Sequence, residues 1–143
     1  MPSKENRYES TDGLSLYYRD FGAEQPGTPV ICLPGLTRNS RDFGDFATRI
    51  EQRRRVLTPD LRGRGFSDYD PNWENYHPGT YIADAWQLLD TLRIERVIVM
   101  GTSLGGLCAM AMSMQHPDRI AGVIMNDIGP EIAEAGLKRV QDY

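Results

Sequence analysis

Residues 96–106 read RVIVMGTSLGG and form the most informative stretch of the chain. The first half is a continuous apolar run, typical of a strand buried on both faces, and it leads directly into Gly101. Ser103 follows, with Gly101 two positions before it and Gly105 two positions after it. In a sharp strand-to-helix turn, side chains at these flanking positions would collide, so glycine is needed at both. The stretch therefore predicts a strand, a tight turn that exposes Ser103, and a helix.

The helix predicted after Ser103 adds an electrostatic element to this turn. Residues 104–114 are apolar on nearly every face, as expected of a helix packed under other elements. The first amides of a helix lack partners within the helix, and the N-terminal end of its dipole favours negative charge. We therefore expect Ser103 to be a nucleophile and the backbone amide of Leu104 to donate to a developing oxyanion.

Strands and helices alternate along the chain, which indicates βαβ units and an α/β fold with a predominantly parallel sheet. An Asp-Gly pair at 12–13 supplies the positive φ angles of a hairpin turn, so the sheet is expected to begin with an antiparallel hairpin. The predicted strands are two within 7–21, then 30–33, 56–60, 96–100 and 120–125, and the predicted helices are 40–53, 80–92 with Thr80 as N-cap, and 104–114.

Composition restricts the class of protein. The 143 residues are 40% hydrophobic and 25% charged, which is ordinary for a globular domain. A net charge of −4 provides no positive field for nucleic acid or for an anionic membrane surface. No apolar run is long enough for a signal peptide or a membrane span, so a cytoplasmic location is expected. Cys32 and Cys108 are interpreted as small buried hydrophobes, and no metal or organic cofactor is implied.

Three separated segments resemble the α/β-hydrolase superfamily, in its branch with a serine nucleophile. Residues 33–37 (LPGLT) occupy the place of that family's oxyanion loop, although Pro34 stands where the family usually has histidine. Residues 60–67 (DLRGRGFS) resemble its D-x-R-G-x-G-x-S loop, whose two arginines are expected to be structural, with one of them paired to Asp60. Residues 101–106 resemble its nucleophile elbow.

The resemblance implies a specific arrangement of the site. The amides of Leu36 and Leu104 would form the oxyanion hole, and Ser103 would attack an acyl carbon. Serine at the elbow, in place of aspartate, argues against the haloalkane dehalogenase and epoxide hydrolase branches, which attack alkyl carbon through a carboxylate.

A serine hydrolase also needs a base and a carboxylate, and the chain has only two histidines. His116 lies 13 residues beyond Ser103, which is about 20 Å along a helix, so a structural role at the helix end is expected. His77 is interpreted as a solvated loop residue. In the family, the acid and the base follow later strands. Residues 1–127 are therefore interpreted as the N-terminal part of the core domain, and residues 128–143 as the start of a cap or linker region.

The resulting prediction is an α/β-hydrolase fold that is incomplete at its C-terminal side. Asp127, at the end of the last predicted strand, is a possible acid, with a turn residue as the alternative. The predicted function is hydrolysis of a small organic acyl substrate (an ester, a lactone, a thioester or a C–C bond of an activated ketone). The base would come from a complementary C-terminal segment, without which the isolated chain should be inactive. The alternatives are a non-catalytic binding protein of this fold and one chain of a cleaved hydrolase.

Overall fold

The computed structural model describes residues 4–35 and 43–126 of the chain. These ranges contain strands and α-helices in alternation, with two short 3₁₀ turns. In chain order, the elements are β1 (Lys4–Glu9), β2 (Ser15–Phe21), β3 (Val30–Leu33), α1 (Gly44–Ile50), β4 (Val56–Pro59), a 3₁₀ turn (Trp73–Asn75), α2 (Pro78–Thr91), β5 (Val97–Thr102), α3 (Leu104–Gln115), a second 3₁₀ turn (Pro117–Arg119) and β6 (Ile120–Asn126).

The strands form one mixed sheet in the order β1-β2-β4-β3-β5-β6. β2 pairs antiparallel with both β1 and β4, whereas β4, β3, β5 and β6 run parallel to one another. The predicted fold class, an α/β fold with a mainly parallel sheet and an N-terminal antiparallel hairpin, is confirmed. Because the parallel strands end at one edge of the sheet, the segments that follow β3, β4 and β5 all leave from that edge.

Helices cover both faces of the sheet, which gives the two-sided core expected of parallel strands. α2 and α3 pack on one face, where the larger cluster includes Leu57 and Val99 from the strands and Leu88 and Met112 from the helices. α1 packs on the other face, where Ala47 belongs to a smaller cluster. The central strands are therefore buried on both sides, and they hold the loops at their carboxyl ends in fixed positions.

The N-terminal hairpin has its turn at the predicted position. β1 and β2 pair from Lys4 opposite Asp20 to Glu9 opposite Ser15. The Ser10 amide donates to the carbonyl of Leu14 at 2.9 Å and closes the turn. Within it, Gly13 has a φ of 91°, as predicted, but the φ of Asp12 is not positive, so only one of the two predicted positive φ angles is present and residues 10–14 join the strands.

Two helix boundaries differ from the prediction. α2 begins at Pro78 with His77 as its N-cap residue, so Thr80 as N-cap is wrong. Proline suits the first helical position because its ring fixes φ near the helical value and that position needs no amide donor. The second difference is the end of α1, which was predicted at residue 53 and lies at Ile50. The residues after Ile50 form a turn, in which the Arg53 amide donates to the Ile50 carbonyl at 2.8 Å.

A buried guanidinium connects three segments that are distant in sequence. Arg62, in the loop after β4, is 1% exposed. Its Nε and Nη2 donate to the two carboxylate oxygens of Asp84 in α2, at 2.8 and 2.6 Å. Its Nη1 donates to Asp12 in the hairpin turn at 2.8 Å and to Asp70 at 2.7 Å. The planar fork of arginine can serve several carboxylates at once, so one side chain holds the hairpin, the loop and α2 together.

The pKa values of the aspartates around Arg62 shift in different directions. The hydrogen bond from Arg62 lowers the pKa of Asp12 to about 2. Burial raises the pKa of Asp84, and the hydrogen bonds from Arg62 oppose that rise. For Arg62 itself, burial disfavours the charged form, but hydrogen bonds to Asp84 and Asp12 raise its pKa overall. The guanidinium therefore remains charged in the folded state and compensates the buried carboxylates.

Removing the guanidinium should destabilise the fold strongly. Arg62→Met leaves the buried carboxylates of Asp84 and Asp70 without their cation, and we expect a loss of about 3–5 kcal/mol in the free energy of unfolding. Denaturant unfolding of the polypeptide that contains this chain measures the loss. Arg49→Met, the same substitution on the exposed face of α1, is the matched control and should change stability by less than about 0.5 kcal/mol. Equal effects of the two substitutions would contradict this role of Arg62.

Asp12 should make part of the stability depend on pH. Its folded-state pKa is about 2, below the ordinary value of 3.8, so its contribution is present above pH 3.8 and is lost as the pH falls through 2. The Asp12 side chain is 43% exposed, and solvent screening limits the contribution to about 1 kcal/mol or less. Unfolding experiments between these pH values should show a shallower pH dependence for Asp12→Asn than for the wild type. In an Arg62→Met background, Asp12→Asn should have a smaller effect, because the largest cause of the lowered pKa is gone and the hydrogen bond with Ser10 remains.

Candidate active site

Ser103 lies at the junction of β5 and α3 in a strained backbone conformation. Its φ and ψ are 55° and −115°, and its side chain is exposed at the carboxyl edge of the sheet. A positive φ is uncommon for a residue with a Cβ, and strained residues of this kind cluster at functional sites. The predicted turn that exposes Ser103 is therefore present in the structure.

The two flanking glycines are required by close packing. A Cβ at Gly105 would fall on the carbonyl group of Leu33, at the end of β3. A Cβ at Gly101 would fall on the carbonyl group of Gly105 and near the Gly106 amide at 2.5 Å. Neither glycine has a positive φ, so it is the lack of a side chain, and not conformational freedom, that each position needs. The first turn of α3 can approach β3 only because these positions are bare.

The N-terminus of α3 begins directly after Ser103. The carbonyl of Ser103 accepts the amides of Gly106 and Leu107, at 2.9 and 3.2 Å, and so begins the helix. The amide of Leu104 precedes this first turn of hydrogen bonds and belongs to the group that a helix leaves without internal partners. It is adjacent to Ser103, as an oxyanion donor must be, and the dipole of the 12-residue helix adds positive potential there.

The predicted oxyanion loop leaves the sheet beside this turn. β3 pairs parallel with β5, and Leu33 is the register partner of Gly101. The chain after Leu33 therefore starts next to the elbow. Leu36, the second predicted oxyanion donor, and Asp127, the possible acid, lie outside the described residues. On the other side of β5, Thr102 is the register partner of Asn126, so the chain beyond β6 also departs beside Ser103.

Hydrogen bonds between side chains and backbone hold the loop at 60–67 in place. The Asp60 carboxylate accepts the Phe66 amide at 3.0 Å, and the Ser67 hydroxyl donates to the Asp60 carbonyl at 2.7 Å. Ser67 also accepts the Tyr17 amide from β2 at 2.8 Å. Sequence reasoning expected structural arginines here, but it did not find the aspartates that hold Arg62. For one of them, Asp84, a signal existed: it has helical spacing to the apolar residues Tyr81 and Leu88, and a carboxylate between them needs a buried partner.

In the described part of the chain, neither histidine is hydrogen-bonded to Ser103. His77 is exposed at the start of α2, and its Nε2 lies 3.0 Å from the Thr80 hydroxyl. His116 ends α3, one full helix away from Ser103, and its ring contacts that of Trp86 edge-on at 5.1 Å between centroids. Within residues 4–35 and 43–126, the structure thus places the predicted nucleophile next to one predicted amide donor, and neither histidine bonds to Ser103.

The cysteines are buried, as predicted. Cys32 and Cys108 are 0% and 2% exposed, and burial raises the pKa of both thiols, that of Cys108 to about 11. Residues 4–35 and 43–126 contain no group of three or more His, Cys, Asp or Glu side chains arranged to hold a metal ion. The same ranges contain no helix with the length and apolar character needed to cross a membrane.

A family comparison gives this geometry its context. Residues 28–143 match a family model described as the alpha/beta hydrolase fold. The chain belongs to the alpha/beta hydrolase fold family. A crystal structure of an alpha/beta hydrolase from Novosphingobium aromaticivorans is 44% identical in sequence and superposes with a TM-score of 0.85, covering 99% of this chain and 50% of that one. The predicted membership of the α/β-hydrolase superfamily is confirmed.

Two curated relatives are enzymes of known type. The 3-hydroxybutyrate-oligomer hydrolase of Cupriavidus necator is 32% identical over 128 residues, which are 90% of this chain and 44% of that protein. The sn-1-specific diacylglycerol lipase of Danio rerio is 31% identical over 124 residues, which are 85% of this chain and 38% of that protein. The chain thus spans less than half the length of these relatives and corresponds to the N-terminal portion of the fold.

Because α3 approaches β3 so closely, adding a single methyl group at Gly105 should lower the stability of the protein. Gly105→Ala should destabilise the protein by about 1–3 kcal/mol or displace the elbow, because the new Cβ meets the Leu33 carbonyl and not a flexible side chain. Gly122→Ala, in β6, is the matched control, since a Cβ there has no atom within 4 Å. Denaturant unfolding of both variants compares them, and a Gly105→Ala variant as stable as Gly122→Ala would refute the packing argument.

Proposed function

We propose that the polypeptide containing this chain is a serine hydrolase that cleaves acyl substrates through an acyl-enzyme formed on Ser103. The observation that carries the proposal is the elbow. Ser103 is held at φ 55°, exposed, with its flanking glycines packed against backbone and the N-terminus of α3 beside it. A turn serine without chemistry would not need this strain, which costs about 1–3 kcal/mol.

The elbow is suited to nucleophilic attack on a carbonyl group. Ser103 Oγ forms a bond to the acyl carbon while its proton passes to a base, and the carbonyl π electrons move to the oxygen. The amides of Leu104 and Leu36 stabilise that oxyanion. The intermediate then collapses, the leaving group departs with the proton from the base, and an ester on Ser103 remains. Water repeats the sequence with the same base, releases the acid and restores the serine hydroxyl.

The base in this proposal is a histidine outside the 143 residues, contributed by a complementary C-terminal segment. His77 is hydrogen-bonded to the Thr80 hydroxyl, and the His116 ring packs edge-on against Trp86. The carboxylate that orients the base would come from that segment as well, or from Asp127. Without a base the serine hydroxyl is a weak nucleophile, so the chain by itself should have negligible activity.

Esters are the substrate class that the relatives favour. One relative is named for hydrolysing 3-hydroxybutyrate oligomers and the other for hydrolysing diacylglycerol, and both of these substrates contain ester bonds. A net charge of −4 gives the chain no excess of cations with which to attract anionic substrates. We therefore propose small, neutral organic esters as first substrates to test, with lactones, thioesters and C–C bonds of activated ketones as further members of the acyl class.

A serine-directed fluorophosphonate probe tests the nucleophile. The polypeptide that contains this chain should be labelled, and Ser103→Ala should abolish both the labelling and ester hydrolysis, reducing turnover by about 10⁴-fold or more. Ser113→Ala is the matched control: it removes a hydroxyl near the other end of α3, where Ser113 donates to the Met110 carbonyl at 2.7 Å, and it should leave labelling intact.

The possible outcomes separate the proposed enzyme from its alternatives. Labelling that persists in Ser103→Ala would refute Ser103 as the nucleophile, and labelling absent from the wild type would refute the proposal and favour a non-catalytic binding protein. If labelling appears only when a companion fragment is present in the native sample, the chain is one part of a cleaved hydrolase. Mass spectrometry of the labelled peptide identifies the modified serine directly.

A further inference from the structure

The outer edge of β1 presents backbone groups that the proposed function does not use. In the described part of the chain, β1 is the terminal strand of the sheet, beside β2. Hydrogen-bonded and non-hydrogen-bonded pairs alternate in an antiparallel ladder, and the bond from Ser10 to Leu14 marks one hydrogen-bonded pair. Counting back from it, Asn6 bonds to β2, whereas Glu5 and Arg7 direct their amides and carbonyls away from the sheet.

Two contacts confirm this phase of the ladder. Tyr17, opposite Arg7, donates its amide to Ser67 at 2.8 Å and accepts the Asp60 amide at 2.9 Å, so its backbone points away from β1. At the far end of β1, the Glu9 carbonyl accepts Nε2 of Gln87 at 3.3 Å, which a carbonyl directed at β2 could not do. The edge is therefore partly covered at Glu9 and presents its pairing groups at Glu5 and Arg7.

We propose that two copies of the chain pair antiparallel through β1, with Glu5 of each copy opposite Arg7 of the other. The two β1 strands can form backbone hydrogen bonds only if residues whose amides and carbonyls point outward lie opposite each other. This condition allows few registers. Placing Arg7 opposite Arg7, or Glu5 opposite Glu5, brings like charges together. Placing Arg7 opposite Glu9 uses the carbonyl that Gln87 already holds. The remaining register makes two opposite-charge pairs and four backbone hydrogen bonds, with Asn6 facing Asn6 on the two-fold axis.

The side chains at this edge are already held in position. Arg7 Nη2 donates to the Phe66 carbonyl at 2.6 Å, and the Tyr17 hydroxyl donates to Glu5 Oε1 at 3.0 Å. Together with Asn6, these side chains line a cleft of about 490 Å³. The Phe66 ring is 51% exposed and packs on Tyr17 at 5.1 Å between centroids. Fixed charges reduce the entropy cost of association, and covering Phe66 adds apolar burial.

Charges on an edge strand usually prevent pairing with other strands. Here they discriminate between registers, because alternating Glu5, Arg7 and Glu9 attract in one alignment and repel in those beside it. An unrelated strand lacks the complementary sequence. The same charges therefore protect the edge from aggregation and select a second copy of the chain as its partner.

A cysteine at the two-fold axis tests the register. Non-hydrogen-bonded partners have Cα atoms about 4.5 Å apart, within the range that a disulfide spans. In the polypeptide that contains this chain, Asn6→Cys should form a disulfide-linked dimer on mild oxidation, seen on a non-reducing gel. Glu9→Cys is the control, because position 9 does not oppose itself. The natural thiols of Cys32 and Cys108 are buried and should not compete. No crosslink for Asn6→Cys, or equal crosslinking for both, would overturn the register.

Charge exchange tests the pairing itself. Light scattering coupled to size exclusion, from micromolar to millimolar protein, should show a concentration-dependent dimer. Glu5→Arg and Arg7→Glu each create two like-charge pairs and should weaken the dimer about tenfold or more. The double variant Glu5→Arg/Arg7→Glu restores opposite charges and should recover dimerisation. A wild-type protein that remains monomeric throughout, or a double variant that dimerises no better than the single ones, would refute the proposal.

Discussion

The approach of the first turn of α3 to the end of β3 is the constraint on which the candidate site depends. The Leu33 carbonyl occupies the space that a side chain at Gly105 would need, and Gly101 is packed against the same turn. This contact sets where α3 begins relative to the central strands, and the single residue between β5 and α3 must bridge a short gap. Ser103 does so at a positive φ. Its exposure is thus a consequence of packing beneath it, and the strain is supported by the buried core under α3.

Buried charge helps to position the loop after β4, in addition to the hydrogen bonds of Asp60 and Ser67 and the burial of Leu61. Arg62 is almost fully buried and bonds to aspartates of the hairpin turn, the loop and α2. A buried charge of this kind adds little net stability compared with well-packed apolar residues, but removing one partner is costly. The arrangement therefore favours one placement of the loop over many alternatives. Because this loop and the elbow leave the same edge of the sheet, the cluster also fixes the boundary of the site on the β4 side.

Sequence reasoning was most successful where the signal is local. The strands around Val30 and Val97 are continuous apolar runs, and the elbow follows from the spacing of two glycines around Ser103. It was least successful where the outcome depends on which strands are neighbours. The contact between Gly105 and the Leu33 carbonyl requires β3 to lie beside β5, and the partnership of Arg62 with Asp84 requires α2 to pack over the loop. These contacts join residues that are 22 and 72 positions apart, so the local sequence patterns used to predict helices and strands do not reveal them. The start of α2 was missed for a different reason, because the N-cap was assigned to Thr80 although Pro78 suits a first helical position.

The strand order also determines where a missing base could come from. Adjacent strands are about 4.8 Å apart, and β5, which bears Ser103, is one spacing from β6 but four from β1, or about 19 Å. A strand added beside β1 would end too far from Ser103 for its loop to place a histidine within hydrogen-bond reach without a long excursion. A parallel strand added beside β6 would end at the same edge as Ser103, two spacings away. Ile124 of β6 is an exposed apolar residue, the kind of surface that further chain covers. The proposed catalytic complement would therefore lie on the β6 side, and the charged edge of β1, at the opposite end of the sheet, would remain available for the proposed second copy.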